Sequence, residues 1–190
     1  MVDRVNKPEL HVDTVADWEA WLSSEPDPIG IRLRLRKKAT TKPGITYAEA
    51  LDVALCFGWI DGQSQSLDGD YYLQTFTPRR RGSIWSKVNI GHVTRLIDEG
   101  RMRPEGQLEI DRAKADGRWD RAYRQRDGDI PVELLDALNA DPEIAKAFAS
   151  QSAQNRFAMA FRVANLKRPA SRAARVAEYV EMLKRGETLY

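Results

Sequence analysis

A chain of 190 residues with a formal net charge of +2, 42% hydrophobic and 31% charged residues is sized for one ordinary domain, or for one domain with a smaller appendix. No apolar run approaches the roughly 20 residues needed to cross a bilayer, the stretch Met1–Leu10 lacks the apolar centre of a secretory signal, and the lone cysteine, Cys56, excludes an internal disulfide. A reducing cytoplasm is therefore the expected compartment, with no membrane span.

The charge is uneven along the chain. Residues 30–91 carry ten Lys/Arg against five Asp/Glu. That excess is too small for a nucleic-acid protein, whose basic face dominates its domain, and it suits a small anionic ligand.

After a polar arm, Thr14 to Asp17 has the form of a capping box, and Val15, Trp18, Trp21 and Leu22 follow at helical spacing until Pro26 and Pro28. The period then switches. From Ile29 to Lys37, Ile31, Leu33 and Leu35 alternate with Arg32, Arg34 and Arg36, which predicts a strand with one dry and one cationic face. Solvated arginines on a sheet face are the plainer reading of that run, ahead of a ligand-binding face.

Pro43-Gly44 marks a turn, and Thr46 with Glu49 caps a second helix through Ala48, Leu51, Val53, Ala54, Leu55 and Phe57. Gly58 is placed to end it in the left-handed conformation. Trp59–Ser64 and Tyr71–Thr77 read as two further strands, with Asp68-Gly69 as the turn of a hairpin. Gly82-Ser83 offers a cap for a helix from Ile84 to Glu99 with Trp85, Val88, His92 and Leu96 on one face. Pro104 opens the next helix, with Leu108 and Ala115 inward, and Trp119 and Tyr123 pack back on the sheet.

The polar stretch Arg126–Asp129 reads as a linker, which divides the chain into an α+β domain over residues 1–127 and a helical module over 128–190. In the module, Pro131, Pro142 and Pro169 stand at helix starts. The apolar sets are Leu134, Leu135, Leu138; Ile144, Phe148; Phe157, Ala160, Phe161, Ala164; and Val176, Tyr179, Val180, Leu183. The fold class is α+β: a small antiparallel or mixed sheet packed by helices, with an all-helical C-terminal appendix.

Unusual chemistry concentrates between Phe57 and Asn89. Arg79, Arg80 and Arg81 precede a helix start, where cations are unfavourable unless an anion is bound against the exposed N–H groups. Ligand-binding candidates are Trp59 and Trp85 as an aromatic wall, Arg79, Arg80 and Lys87 as anion contacts, and Asp61 and Gln63 as orienting groups. The plainer alternative pairs the arginines with Asp61, Asp68 or Asp70, or points them into water. Asp61 is also the candidate general acid or base, because it shares a strand face with Trp59 and an indole would desolvate it.

Cys56 reads as a small buried hydrophobe and His92 as a core histidine. With His11 near the N-terminus, no metal-ligand spacing exists, and neither a metal nor a cofactor is expected. Arg156, Arg162, Arg168, Arg172 and Arg175 form a second basic set, for which pairing of Arg175 with Glu178 is the duller account. The oligomeric state is not set by the sequence.

Taken together, Leu55-Cys-Phe-Gly-Trp-Ile-Asp-Gly62, Thr75-Phe-Thr-Pro-Arg-Arg80, Ser83-Ile-Trp-Ser-Lys-Val-Asn89, Leu96-Ile-x-x-Gly-Arg-Met102 and Ala113-Lys-Ala-Asp-Gly-x-Trp119 resemble the YdeI/OmpD-associated, or bacteriocin-protection, family over nearly the whole chain. The tail from about Ile130 to Gly186 is similar to the helical module for which that family is named. It carries Ser171-Arg-Ala-Ala-Arg175 where the family shows Thr-Arg-x-x-Arg. The resemblance implies a non-catalytic stress or bacteriocin-protection protein and carries no reaction with it. Two alternatives stand beside it: a small-molecule enzyme using Asp61, and an interaction module using the basic tail.

Overall fold

The computed structural model describes residues 7–24, 26–122 and 130–190, and the chain divides into two compact units, Met1–Ala122 and Tyr123–Tyr190. The expected linker Arg126–Asp129 and the expected packing of Tyr123 lie outside the described residues.

In the first unit the elements run β1 (Glu9–His11), α1 (Val15–Ser23), β2 (Ile31–Arg36), α2 (Tyr47–Cys56), β3 (Trp59–Ser66), β4 (Tyr71–Pro78), α3 (Lys87–Asp98) and α4 (Pro104–Ala115). The four strands form one sheet in the order β1-β2-β4-β3, with β1 parallel to β2 and the other pairings antiparallel. The sheet is thus mixed, and the fold is α+β.

Both capping boxes form. The Thr14 and Thr46 hydroxyls accept from the amides of Asp17 and Glu49, whose carboxylates in turn accept from the cap amides. Ile31, Leu33 and Leu35 are buried while Arg32, Arg34 and Arg36 are half-buried, so the alternation in β2 does divide the sheet into a dry and a cationic face. The dry face packs Trp18 and Leu22 of α1, most of α2, and Phe76 into one core with Val93, Leu96, Ile110 and Ala113 of α3 and α4. On the other face, Arg32 pairs with Glu9 at 3.1 Å and Arg34 lies over the Tyr71 ring. Those arginines are therefore engaged rather than simply solvated.

Two close approaches require glycine. Gly30 has φ 82°, and a Cβ there would stand 2.4 Å from the Phe76 carbonyl oxygen, which is why β2 starts at Ile31 and not at Ile29. Gly106 lets α4 lie against the end of α2, where a Cβ would meet the Cys56 carbonyl at 2.3 Å.

Several sequence expectations shift. β1 falls in what reads as a polar arm. α3 begins at Lys87 rather than Ile84, capped by the Ser86 hydroxyl, which accepts from the Asn89 amide at 3.1 Å. Trp85 precedes that helix and Val88 is half exposed; the buried face is Val93 and Leu96. In α4 the inward residues are Gly106, Glu109, Ile110 and Ala113, while Leu108 and Ala115 face outward, because Gly106 sets the contact with α2.

The second unit is helical: α5 (Val132–Ala140), α6 (Pro142–Ser150), α7 (Ala153–Ala164) and α8 (Pro169–Lys184). Pro142 and Pro169 occupy first helical turns as expected. The core joins Leu134, Leu138, Ile144, Phe148, Met159, Val163, Val176, Tyr179 and Leu183. Of the expected α7 face, Ala160 is buried with Met159 and Val163, whereas Phe157 and Phe161 stack at 5.5 Å at half-exposed positions and Ala164 is exposed. Leu135 likewise faces out.

Candidate functional site

Between β4 and α3 the chain makes a compact loop. The Arg79 amide donates to the Gly58 carbonyl at 2.9 Å, tying the loop to the end of α2. Arg80 and Ser83 close a turn twice over: the Ser83 amide donates to the Arg80 carbonyl at 2.8 Å, and the Arg80 amide donates to the Ser83 hydroxyl at 2.9 Å. The Arg118 Nη1, entering after α4, donates to the Ser83 carbonyl at 2.8 Å.

Under this loop stands a column of cations and rings. The buried Arg79 guanidinium lies 3.7 Å from the Trp85 ring centroid, Trp85 packs on Trp119 at 5.2 Å, and the Lys114 ammonium lies 5.2 Å from the Trp119 ring. The Arg79–Trp85 contact, whose two residues are both buried, contributes about 2 kcal/mol as a desolvated cation–π pair, while Lys114 is exposed. Trp85 is 2% exposed and serves as the seat of Arg79.

The loop is rich in donors. Among the described residues no acceptor meets the buried indole N–H of Trp85 or the buried Nη2 of Arg118. Leaving a buried polar group unpaired costs about 1–3 kcal/mol. The first turn of α3 carries no acid, and its first residue is the exposed Lys87. Arg80 and Arg81 are also exposed, and neither they nor Lys87 has an acidic partner among the described residues.

The acids that the plainer reading assigned to these arginines are occupied elsewhere. Asp61 accepts from the Tyr47 hydroxyl at 2.9 Å, the Asp68 carboxylate accepts from the amides of Asp70 and Tyr71 at 2.8 Å, and Asp70 pairs with Lys42 and Thr40.

The seven candidate ligand residues therefore fall into two groups. Arg79, Arg80, Trp85 and Lys87 share the loop. Trp59, Asp61 and Gln63 sit on β3, where the ring of Trp59, 6% exposed, meets Trp21 edge-on at 5.7 Å rather than Trp85. Asp61 and Trp59 do share a sheet face, opposite Phe76 and Pro78. The group that meets the Asp61 carboxylate is the Tyr47 phenol. Burial, and then the Asp61 charge, raise the Tyr47 pKa well above the usual tyrosine value, so its hydroxyl is a fixed donor near neutral pH. Gln63 is exposed in a bulge that separates Asp61 from Ser64.

Sequence reasoning missed Arg118 and Tyr47. Arg118 had a signal: it stands between the helix-ending Gly117 and Trp119. Tyr47 had none, since its role depends on the register between α2 and β3.

The remaining candidates are structural. Burial pushes the Cys56 thiol up to about 11, whereas His92 is not a core histidine: its side chain is 33% exposed and Nδ1 lies 3.7 Å from Asp52, whose carboxylate accepts two bonds from Arg95. No group of three His, Cys, Asp or Glu fit to hold a metal exists among the described residues. In the second unit, Arg156 donates to the Ala149 and Gln151 carbonyls, Arg172 to the Leu166 carbonyl and to Glu133, and Arg175 pairs with Glu178 at 3.3 Å.

These features define an α+β domain with a donor-rich, acid-poor loop, joined in sequence to a four-helix module. The chain belongs to the family described as Domain of unknown function (DUF8412), whose model matches residues 10–109. Residues 127–186 match the family Bacteriocin-protection, YdeI or OmpD-Associated. That match covers the tail, while the central motifs from Leu55 to Met102 fall within the first family's span. No curated protein and no solved structure matches the chain.

Proposed function

We propose that this YdeI/OmpD-associated protein is a non-catalytic, cytoplasmic protein of bacteriocin protection or stress that binds a small anionic ligand at the loop between β4 and α3. The observation that carries this reading is the unmatched donor set. Among the described residues, the indole N–H of Trp85 and Nη2 of Arg118 lack acceptors, beside a helix start with no acid and three exposed cations with no acidic partner. A phosphate or carboxylate supplies only acceptors and negative charge, which is what such a set lacks.

Arg79 and Trp85 form the floor in this reading, Arg80, Arg81 and Lys87 the outer contacts, and Arg118 the strut that holds Ser83. Trp59, Asp61 and Gln63 are better placed as framework: Trp59 is packed on Trp21, and Asp61 is held by Tyr47.

The test is a thermal-shift and calorimetric screen against inorganic phosphate, nucleotides, sugar phosphates and small carboxylic acids, repeated with Arg80→Ala and Trp85→Phe. A ligand at 100 times its Kd adds about 2.7 kcal/mol of stability, and a hit in the native protein that both variants lose is the expected result. A screen without a hit, or a hit that both variants keep, refutes the site.

A further inference from the structure

β3 is an edge strand, and beyond its bulge at Gly62–Gln63 it carries neither the charges nor the proline that blunt most edges. The other edge, β1, is three residues long and follows Pro8, whereas β3 runs eight residues with its last five exposed. Open edges are normally blunted by Lys, Pro, bulges or short length, and here the bulge guards only the start of the exposed run. From Gly62 through the strand's end at Ser66 and on to Leu67 the chain reads Gly-Gln-Ser-Gln-Ser-Leu, without a charge or a proline in a chain that is 31% charged. The bulge at Gly62–Gln63 is the one irregularity, and beyond it Ser64, Gln65 and Ser66 pair regularly with Gln74, Leu73 and Tyr72. Among the described residues, the backbone from Gln63 to Leu67 makes no hydrogen bond other than those of its pairing with β4.

We propose that this edge is a homodimer joint, in which β3 of a second copy pairs antiparallel across a twofold axis at Gln65 and continues the four-stranded sheet into one of eight strands. The sequence of the edge argues for a second copy over a charged peptide. An axis at Gln65 sets Ser64 opposite Ser66 and Gln63 opposite Leu67, so no like charges meet, and the two Gln65 amides face one another. A carboxamide carries both donor and acceptor and is therefore its own complement, whereas an acidic or basic peptide would find no counter-charge here. Isologous contacts of this kind close at two copies. The joint is small beside the roughly 1,600 Å² of a standard stable interface, so the dimer is weak and reversible.

Sedimentation velocity over a series from low to high micromolar protein tests this, using the full chain. The native protein is expected to convert from monomer to dimer as concentration rises. Gln65→Lys places two ammonium groups opposite each other and removes the dimer, with circular dichroism unchanged and the thermal midpoint unchanged at low protein concentration, where both proteins are monomers and Gln65 is exposed. Mixing Gln65→Lys with Gln65→Glu restores a dimer, which a merely structural effect of either substitution would not do. A native protein that stays monomeric throughout, a Gln65→Lys variant that still dimerises, or a mixture that stays monomeric overturns the proposal.

Discussion

The same substitution, glycine to alanine, should have opposite signs at two helical positions of the first unit. At Gly106 in α4 the new Cβ would stand 2.3 Å from the Cys56 carbonyl, 2.6 Å from the Met102 sulfur and 2.7 Å from the Leu55 carbonyl. Met102 can swing away, but the two carbonyls belong to the end of α2 and cannot. To reach ordinary contact, α4 must retreat from α2 by about 1 Å, loosening Ile110 and Ala113 in the core; overpacking of this kind costs ~1–3 kcal/mol, and displaced backbone argues for the upper end. Alanine returns about 1 kcal/mol of helix propensity, so Gly106→Ala should destabilise by about 2 kcal/mol. Gly91 in α3 is exposed with nothing within 4 Å of its Cβ position, and Gly91→Ala should gain up to about 1 kcal/mol. At about 2–4 °C per kcal/mol, the two variants should differ by roughly 6–12 °C in Tm. Urea unfolding followed by circular dichroism checks the free energies directly. Shifts of the same sign, or a Gly106→Ala variant within about 0.5 kcal/mol of the native protein, would refute the close-packing argument.

Three further outcomes are expected. Tyr47→Phe removes the donor to Asp61 and should cost about 0.5–1.5 kcal/mol. In the native protein the raised Tyr47 pKa means that the folded state keeps its proton while the unfolded chain releases it; the associated stability is full below the usual tyrosine value and falls as pH rises past it. Alkaline unfolding should therefore set in later for Tyr47→Phe, relative to its own neutral stability, than for the native chain; identical pH dependence would count against the assignment. The Cys56 thiol, buried and pushed up to about 11, should resist a thiol reagent at neutral pH and react fully in denaturant; prompt reaction of the folded protein would contradict its burial. Arg118→Ala frees the Ser83 carbonyl and should loosen the loop, raising amide exchange at Arg80–Trp85 while leaving β2 protected; uniform change across the unit would show a global rather than a local effect.

Much of the first unit was legible because its signals are local. The boxes at Thr14 and Thr46, the alternation of β2 and the left-handed Gly58 each need only a few neighbouring residues. β1 was not legible: three residues with one apolar side chain are a strand only because β2 pairs with them. The start of α3 misled for a related reason. Ile84 and Trp85 extend the apolar pattern backwards, yet Trp85 is claimed by Arg79 and Trp119, and the hydroxyl at Ser86 becomes the effective cap. The outward turn of Leu108 follows from Gly106, whose meaning depends on where α2 ends. In the candidate site, the run of arginines and its helix start were visible, while the split between loop and β3, and the roles of Arg118 and Tyr47, depend on contacts between residues 14 to 35 positions apart.

The division of the chain at Ala122 has a consequence for its birth. Every strand among the described residues, and the glycine-mediated seam between α2 and α4, lies before that point, so the ribosome completes the first unit while the helical module is still unmade. At about 5–20 residues per second, translation of the 68 residues from Tyr123 to Tyr190 takes several seconds. The residues of the sheet therefore leave the ribosome before those of the module, and pairing within the sheet has the earlier start.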